Sequence, residues 1–396
     1  MKRKSLVAIA AFAVLLLTVS PVSANHDPKG NAILETTVAP DNLFASEVEI
    51  SATSAAVIDV QTGRVLYEKN GDEKMLIASL TKIITTIVAI ESGVDLNSTV
   101  TVSNRASGKE GSSIYLKVGE KQKLIDLLYA VMLRSGNDAA TAVAEHVGKT
   151  EQKFVEMMNQ KAKELGLLGT HFANPHGLDQ EAHYSTAHDM ARITAYALRN
   201  PVFAEIVQTK VKSIPMQGES WDRKMYNKNK MLVRYEGADG VKTGYTKAAG
   251  RCLASSATKD GRQIAVLTLK ASSDWDDHAR LLNYGFQKYQ FLPIAKENSV
   301  LRTVPVEDGV KKDVDVIVGH QFNYPVREDE QEKVTQKIEM EETLQAPLAA
   351  GQKVGELKVY FEDRLVGQVP IIVGHDVEKE SFWSKLKNLF SNMINR

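Results

Sequence analysis

Between Ser54 and Tyr289 the chain changes texture twice: short strand-like runs stand at both ends and helical periodicity fills the middle. A segment of this form folds by closing its ends into one sheet and laying the helices against it. Ala55 to Val60 and Val65-Leu66-Tyr67 flank Gln61-Thr62-Gly63-Arg64, a hairpin signal with Gly at the turn. A helix is expected from about Ser79 to Glu91, closed by Gly93. Leu124, Leu127, Leu128, Val131 and Met132 mark the next helical face, which breaks at Ser135-Gly136-Asn137 and resumes from Asp138 to Val147. Phe154, Met157, Met158, Ala162 and Leu165 mark another helix, and Ser185 to Leu198 a further one that Ser185 or Thr186 can cap. Cys252-Leu253-Ala254 and Ile264 to Leu269 read as strands around a turn at Lys259 to Arg262, and a helix from Trp275 to Tyr289 closes the region. The expected fold class is α/β (α+β): an antiparallel sheet with a helical cluster.

A boundary is expected near Pro293. From Ser299 to Val373 the runs are short and Val-rich, with turns at Asp308-Gly309, Asn323-Tyr324-Pro325 and Glu362-Asp363, which predicts a small all-β domain. The acidic run from Arg327 to Glu342 reads as a solvated strand or loop. The last residues place Phe382, Trp383, Leu386, Leu389, Phe390, Met393 and Ile394 on one helical face, with Lys385, Lys387 and Arg396 as the only charges. That is the composition of an amphipathic helix lying on a membrane surface. At the other end, Lys2, Arg3 and Lys4 precede an apolar run from Leu6 to Val19 and the small residues of Val22-Ser23-Ala24, the form of a cleaved leader. The run is shorter than the ~20 residues a spanning helix needs. The expected order is therefore a leader (1–24), a linker (25–48), a catalytic domain (49–292), a β-rich domain (296–376) and a terminal helix (378–396). Such a chain is exported and peripheral, at the outer face of the cytoplasmic membrane.

Cys252 is the only cysteine, so no intramolecular disulfide can form and the core must hold the fold, which 43% hydrophobic content permits. Loss of Lys2, Arg3 and Lys4 leaves 46 basic residues against 49 acidic ones, a net charge of −3 that does not suggest nucleic-acid binding.

Three short stretches carry the chemistry: Ser79-Leu80-Thr81-Lys82, Ser135-Gly136-Asn137 and Lys242-Thr243-Gly244. A serine hydroxyl is a weak nucleophile and needs an adjacent base. Ser79 and Lys82 are three apart on an expected helix and so share a face. Lys82 serves as a base only if desolvation or neighbouring cations lower its pKa from the usual value of about 10.4. Ile77, Leu80, Ile83 and Ile84 supply an apolar setting, and a helix N-terminus offers free N–H groups to an oxyanion. Each stretch alone is common. All three in order, with Ser79 opening a helix, Ser135 between helices and Lys242 before a strand, are the known motif set of serine acyl transfer.

With these motifs the chain resembles the low-molecular-weight penicillin-binding proteins that act as serine D-alanyl-D-alanine carboxypeptidases, the peptidase S11 type. Arg134 to Ala140, Asn174 to Leu178, His183 to Thr186 and Asp239 to Thr246 strengthen the likeness. Glu110-Gly111-Ser112, Ile114-Tyr115-Leu116 and Asp274 to His278 bring it nearest to the sporulation-linked carboxypeptidases of endospore-forming bacteria. The resemblance implies a serine β-lactamase/transpeptidase-like catalytic domain and removal of the terminal D-alanine from peptidoglycan pentapeptide stems, limiting cross-linking, of spore cortex in the sporulation-linked case. It makes Ser79 the acyl-enzyme nucleophile, Lys82 its base, Ser135 a proton relay and Asn137 the residue that holds the substrate amide or orients Lys82. Lys242 and Thr243 bind the substrate carboxylate, Gly244 keeps the strand edge open, and the N–H groups of Ser79 and Tyr245 form the oxyanion hole. The partners implied are the stem peptide and, as covalent inhibitors, β-lactams; no cofactor is implied. The family's carboxylate-binding Arg is sought after Lys-Thr-Gly, and Lys270 to Asp277 contains none.

Two other readings share the motifs. A class A β-lactamase needs a glutamate for deacylation, but no Glu-x-x-Leu-Asn lies between Asn137 and Lys242, and Gly136 stands where Asp is usual. A penicillin sensor that is acylated without turnover is the non-enzymatic reading. His171, His176, His183 and His188 lack metal-ligand spacing and read as structural or solvated, so no metal site is expected. Cys252 reads as a small buried strand residue.

Overall fold

The protein is described here from a computed structural model, which describes residues 48–381. The expected leader, linker and terminal helix lie outside them, except at their inner edges. There Lys379 forms a β-bridge with Gly309, so the start of the expected helix, at 378, is extended chain.

The catalytic region is built on a five-stranded antiparallel sheet in the order β2 (Val65–Lys69), β1 (Ser54–Asp59), β9 (Arg262–Leu269), β8 (Gly250–Lys259), β7 (Ala238–Thr246). The two ends of the region meet where β1 pairs with β9, Ala56 opposite Leu267. Successive side chains of a strand point to opposite faces. Ala56 and Ile58 accordingly join one core, and Ala55 and Val57 another. The first core is the helical cluster: α1 (Lys82–Glu91), α2 (Leu124–Tyr129), α3 (Asn137–Gly148), α4 (Glu151–Glu164), α5 (Ala187–Leu198) and α6 (Pro201–Gln208). The second contains Leu281, Leu282 and Tyr284 of α8 (Asp274–Lys288), so the sheet is covered on both faces. Thr186, not Ser185, caps α5, accepting from the Asp189 N–H at 3.0 Å. Cys252 is buried in β8.

Two short pairs complete the region: β3 (Thr99–Thr101) with β4 (Lys121–Lys123), and β5 (Val211–Pro215) with β6 (Asp222–Tyr226), followed by α7 (Met231–Arg234). The β5–β6 hairpin was not expected from the sequence; its burial pattern leaves only Ile214 and Met225 fully inside, too few for an apolar alternation to be visible.

The β-rich region begins at Gln290, ahead of the expected 296. β10 (Gln290–Ala295) pairs with β13 (Phe322–Val326), and Ala295 belongs to the β core. Pro293 suggested a break, but it sits in a two-stranded pair, where proline is tolerated. The main sheet runs β14 (Val334–Met340), β16 (Lys353–Phe361), β17 (Arg364–Val373), β12 (Asp313–Val318), β11 (Val300–Glu307), β15 (Leu344–Gln345). The acidic run is a 3₁₀ turn, Glu328–Lys333, leading into β14. It is solvated apart from Glu330, which is buried against Arg64.

Candidate active site

Ser79 does not open an α-helix. It lies in a 3₁₀ turn, Ala78–Thr81, and α1 begins at Lys82. The correction favours the chemistry, because residues three apart eclipse on a 3₁₀ helix. Lys82 Nζ lies 3.1 Å from Ser79 Oγ. It also donates to Asn137 Oδ1 at 2.7 Å and to the carbonyl oxygen of His176. Asn137 is fixed in turn: its Nδ2 donates to the Glu110 carbonyl at 2.6 Å and its N–H to the Ser112 carbonyl at 2.7 Å.

Lys82 is fully buried, and its pKa is held well below that of an ordinary lysine. Burial is the main cause, followed by the charges of Lys242 and Lys228. Asp138 opposes them, but its carboxylate is engaged by Ser113 Oγ and the N–H groups of Ile114 and Leu116. Ser135 is buried with a φ of 64° at the break between the last turn before it, Ala130–Arg134, and α3.

Lys242-Thr243-Gly244 lies inside β7, not before it. β7 is the last strand of its sheet, so its outer edge carries no partner strand. A Cβ on Gly244 would stand 3.2 Å from the Ser79 nitrogen and 3.2 Å from the Ile77 carbonyl, tighter than ordinary contacts, so glycine lets β7 close on the serine turn. Lys242 is buried, donates to the Thr243 carbonyl at 2.7 Å, and has its pKa pushed down to about 7 by burial and by Lys228. The Tyr245 side chain projects into solvent from the same strand.

Lys228 was not anticipated. It follows β6, is exposed at the rim, and donates to Ser112 Oγ at 3.1 Å. Desolvation and Arg134 lower its pKa, and its own charge lowers those of Lys82 and Lys242. Lys228 stands upstream of Lys-Thr-Gly in the sequence, and its charge reaches both Lys82 and Lys242. The stretch Lys270 to Asp277 instead turns into α8, where Asp274 binds Arg251. The segment Asn174 to Leu178 closes the site from above α1: Thr85 Oγ1 donates to the Pro175 carbonyl at 2.7 Å. His176 enters only through its backbone, its buried ring having a pKa pushed down to about 2. Among the described residues no group of three or more His, Cys, Asp or Glu could hold a metal ion.

An antiparallel sheet carrying a helical cluster, a serine–lysine pair beside an open strand edge, and a following all-β domain make up the transpeptidase-like fold of penicillin-binding proteins. The family model for D-alanyl-D-alanine carboxypeptidase, Peptidase S11, matches residues 40–273, and that for the C-terminal domain of penicillin-binding protein 5 matches residues 289–379. The chain belongs to the D-alanyl-D-alanine carboxypeptidase family. It is 33% identical to D-alanyl-D-alanine carboxypeptidase DacF of Bacillus subtilis, over 88% of this chain and 91% of that one. It resembles the crystal structure of penicillin-binding protein 5 from Haemophilus influenzae at a TM-score of 0.66 and 29% identity, over 84% of this chain and 99% of that one. It also resembles the Streptomyces K15 DD-transpeptidase at a TM-score of 0.57 and 33% identity, over 60% of this chain and 98% of that one.

Proposed function

We propose that the protein is a serine-type D-Ala-D-Ala carboxypeptidase acting on peptidoglycan pentapeptide stems through an acyl-enzyme. The observation that carries the reading is Lys82 Nζ, 3.1 Å from Ser79 Oγ and depressed in pKa by burial and two lysines. The neutral amine takes the proton of Ser79 Oγ as that oxygen adds to the carbonyl carbon of the penultimate D-alanine. The N–H groups of Ser79 and Tyr245 receive the developing oxyanion. The peptide lies along the free edge of β7, and its terminal carboxylate meets Lys242, Thr243 and Lys228, an assignment that supplies the second cation. Collapse of the tetrahedral species breaks the C–N bond, and the proton held on Lys82 passes through Ser135 to the leaving amine of D-alanine. Water then cleaves the ester by the reverse proton path. Asn137 keeps Lys82 aimed. β-Lactams acylate the same serine.

The leader and the terminal helix extend the proposal to an exported enzyme held at the outer face of the cytoplasmic membrane, or in the forespore intermembrane space if its role is in sporulation. Their support is the basic and apolar pattern of residues 2–19 and the aromatic-basic face of residues 382–396. Deleting residues 381–396 is expected to abolish co-sedimentation with anionic liposomes while activity on soluble peptide persists.

The central test uses a fluorescent penicillin and a diacetyl-Lys-D-Ala-D-Ala peptide. The wild type releases D-alanine and turns penicillin over slowly; Ser79→Ala does neither and is not labelled. Labelling of Ser79→Ala, or rapid penicillin turnover without D-alanine release, would overturn the reading.

A further inference from the structure

His183 takes no part in the chemistry above, yet it ends a hydrogen-bond chain that reaches the nucleophile's own peptide group. The Ala173 N–H donates to His183 Nδ1 at 3.0 Å. Nδ1 is therefore an acceptor, and in the neutral ring the proton is on Nε2. The ring is neutral near pH 7, because burial, then the charges of His171 and Lys82, push its pKa down to about 4. Nε2 lies 2.7 Å from Thr81 Oγ1, which lies 2.8 Å from the carbonyl oxygen of Ala78. A carbonyl only accepts, so the single Thr81 hydroxyl proton points to Ala78 and Thr81 accepts from His183. Both bonds have one possible direction.

The Ala78 carbonyl and the Ser79 N–H belong to one planar trans peptide unit. Fixing the carbonyl aims the N–H the opposite way. The hold is needed because Ala78 has a φ of 46°, a left-handed conformation that disfavours a residue with a Cβ. The surroundings are shaped to it. A Cβ at Gly177 would come within 2.0 Å of the Ala78 oxygen and 2.9 Å of Thr81 Oγ1, while Gly244 fits β7 against the Ser79 nitrogen on its other side.

We infer that Thr81 and His183 are positioning residues that aim the Ser79 N–H into the oxyanion hole. The inference rests on the acyl-enzyme reading. It places their effect on the acylation step and not on encounter, because negative charge reaches the carbonyl oxygen only as Ser79 Oγ adds.

The test measures acylation of the full chain by a fluorescent penicillin in stopped flow, separating the dissociation constant from the acylation rate. Thr81→Val keeps the shape and removes the hydroxyl. Its acylation rate is expected to fall roughly tenfold, short of the roughly hundredfold typical of deleting an oxyanion donor outright, with the dissociation constant within about twofold of wild type. Thr81→Ser, which restores the hydroxyl, is expected to recover the rate. His183→Phe is expected to match Thr81→Val, and the double variant to be no slower than either single, since both break one chain. An unchanged rate in Thr81→Val, failure of Thr81→Ser to recover it, or additive losses in the double variant would overturn the inference. If Thr81→Val does not fold, a rate in His183→Phe equal to wild type overturns it and a tenfold loss with unchanged binding supports it. Failure of the wild type itself to be acylated would sink the acyl-enzyme reading instead, so the two failures are distinct.

Discussion

Among the described residues that hold a cation out of water, Arg64 and Lys82 are built in opposite ways. Arg64, in the β1–β2 turn, reaches into the β-rich region. Its NH2 group lies 2.8 Å from both carboxylate oxygens of Glu330, its NH1 group donates to the Pro325 carbonyl, and its guanidinium stands 5.3, 5.2 and 4.4 Å from the ring centres of Tyr289, Tyr324 and Phe361. Each of these contacts attracts a guanidinium. Lys82 has the reverse setting: a fully buried amine whose hydrogen-bond partners are neutral and whose charged neighbours Lys242 and Lys228 repel it. A cation surrounded by compensation is a fastener. A cation denied it is driven toward the neutral amine, and so becomes a base.

The largest effect expected from breaking that contrast is at the fastener. Arg64→Ala leaves Glu330 buried without its partner, which costs about 3–5 kcal/mol in comparable sites. Urea unfolding and limited proteolysis near residue 289 should show the β-rich region loosened. Penicillin acylation should stay near wild type, because no residue of the serine site touches Arg64. A loss of acylation matching the loss of stability would show that the two regions are not separable.

At the other site Lys82→Arg keeps the charge and forbids its loss, since guanidinium does not deprotonate near neutral pH. The acylation rate should fall at least about a hundredfold, the low end of general-base effects. An arginine variant acylated at the wild-type rate would remove Lys82 from the role of base. Lys228→Ala tests the rim cation. It takes one positive charge from the carboxylate end and one repulsion from Lys82, so KM for the D-Ala-D-Ala peptide should rise roughly tenfold. The acidic limb of the rate profile should also move to higher pH, because the pKa of Lys82 rises when Lys228 no longer depresses it. A KM unchanged by Lys228→Ala would leave Lys242 and Thr243 as the whole carboxylate site.

How much of this was legible in the sequence follows from the same physics. β1, β8 and β9 were readable as short apolar runs because the sheet is buried on both faces, and the helical faces because their burial is periodic. The serine–lysine pair was readable because its spacing is local. The placement of Lys228 was not, since only folding brings a residue 146 positions after Lys82 close enough for its charge to act on it. Glu330 was read as solvated because a charge run shows composition but not the Arg64 waiting across the interface. His183 was read as structural or solvated, and its ring is indeed buried; that it ends on the Ala78 carbonyl depends on a φ of 46° that no pattern announces.

The smallest effect expected is also the sharpest statement of the contrast, because it is a gain. Lys242 is fully buried with its pKa pushed down to about 7. A lysine depressed in the folded state binds its proton more weakly there than in the unfolded chain. Below about pH 7 both states carry the charge and the folded state bears the full penalty. As the pH rises from about 7 towards the unfolded value of about 10.4, the unfolded chain keeps more protons, and stability rises with pH. Lys242→Met, which keeps the apolar stem and removes the ammonium, should therefore raise the melting temperature at pH 6 by at least about 2 °C, on the order of 1 kcal/mol for a domain of this size. The gain should shrink by pH 10, and activity on the peptide should be lost. Scanning calorimetry of both proteins at the two pH values decides it. A variant destabilised at pH 6 would show that the Lys242 to Thr243 hydrogen bond outweighs the cost of burying the charge, and that this lysine is a fastener after all.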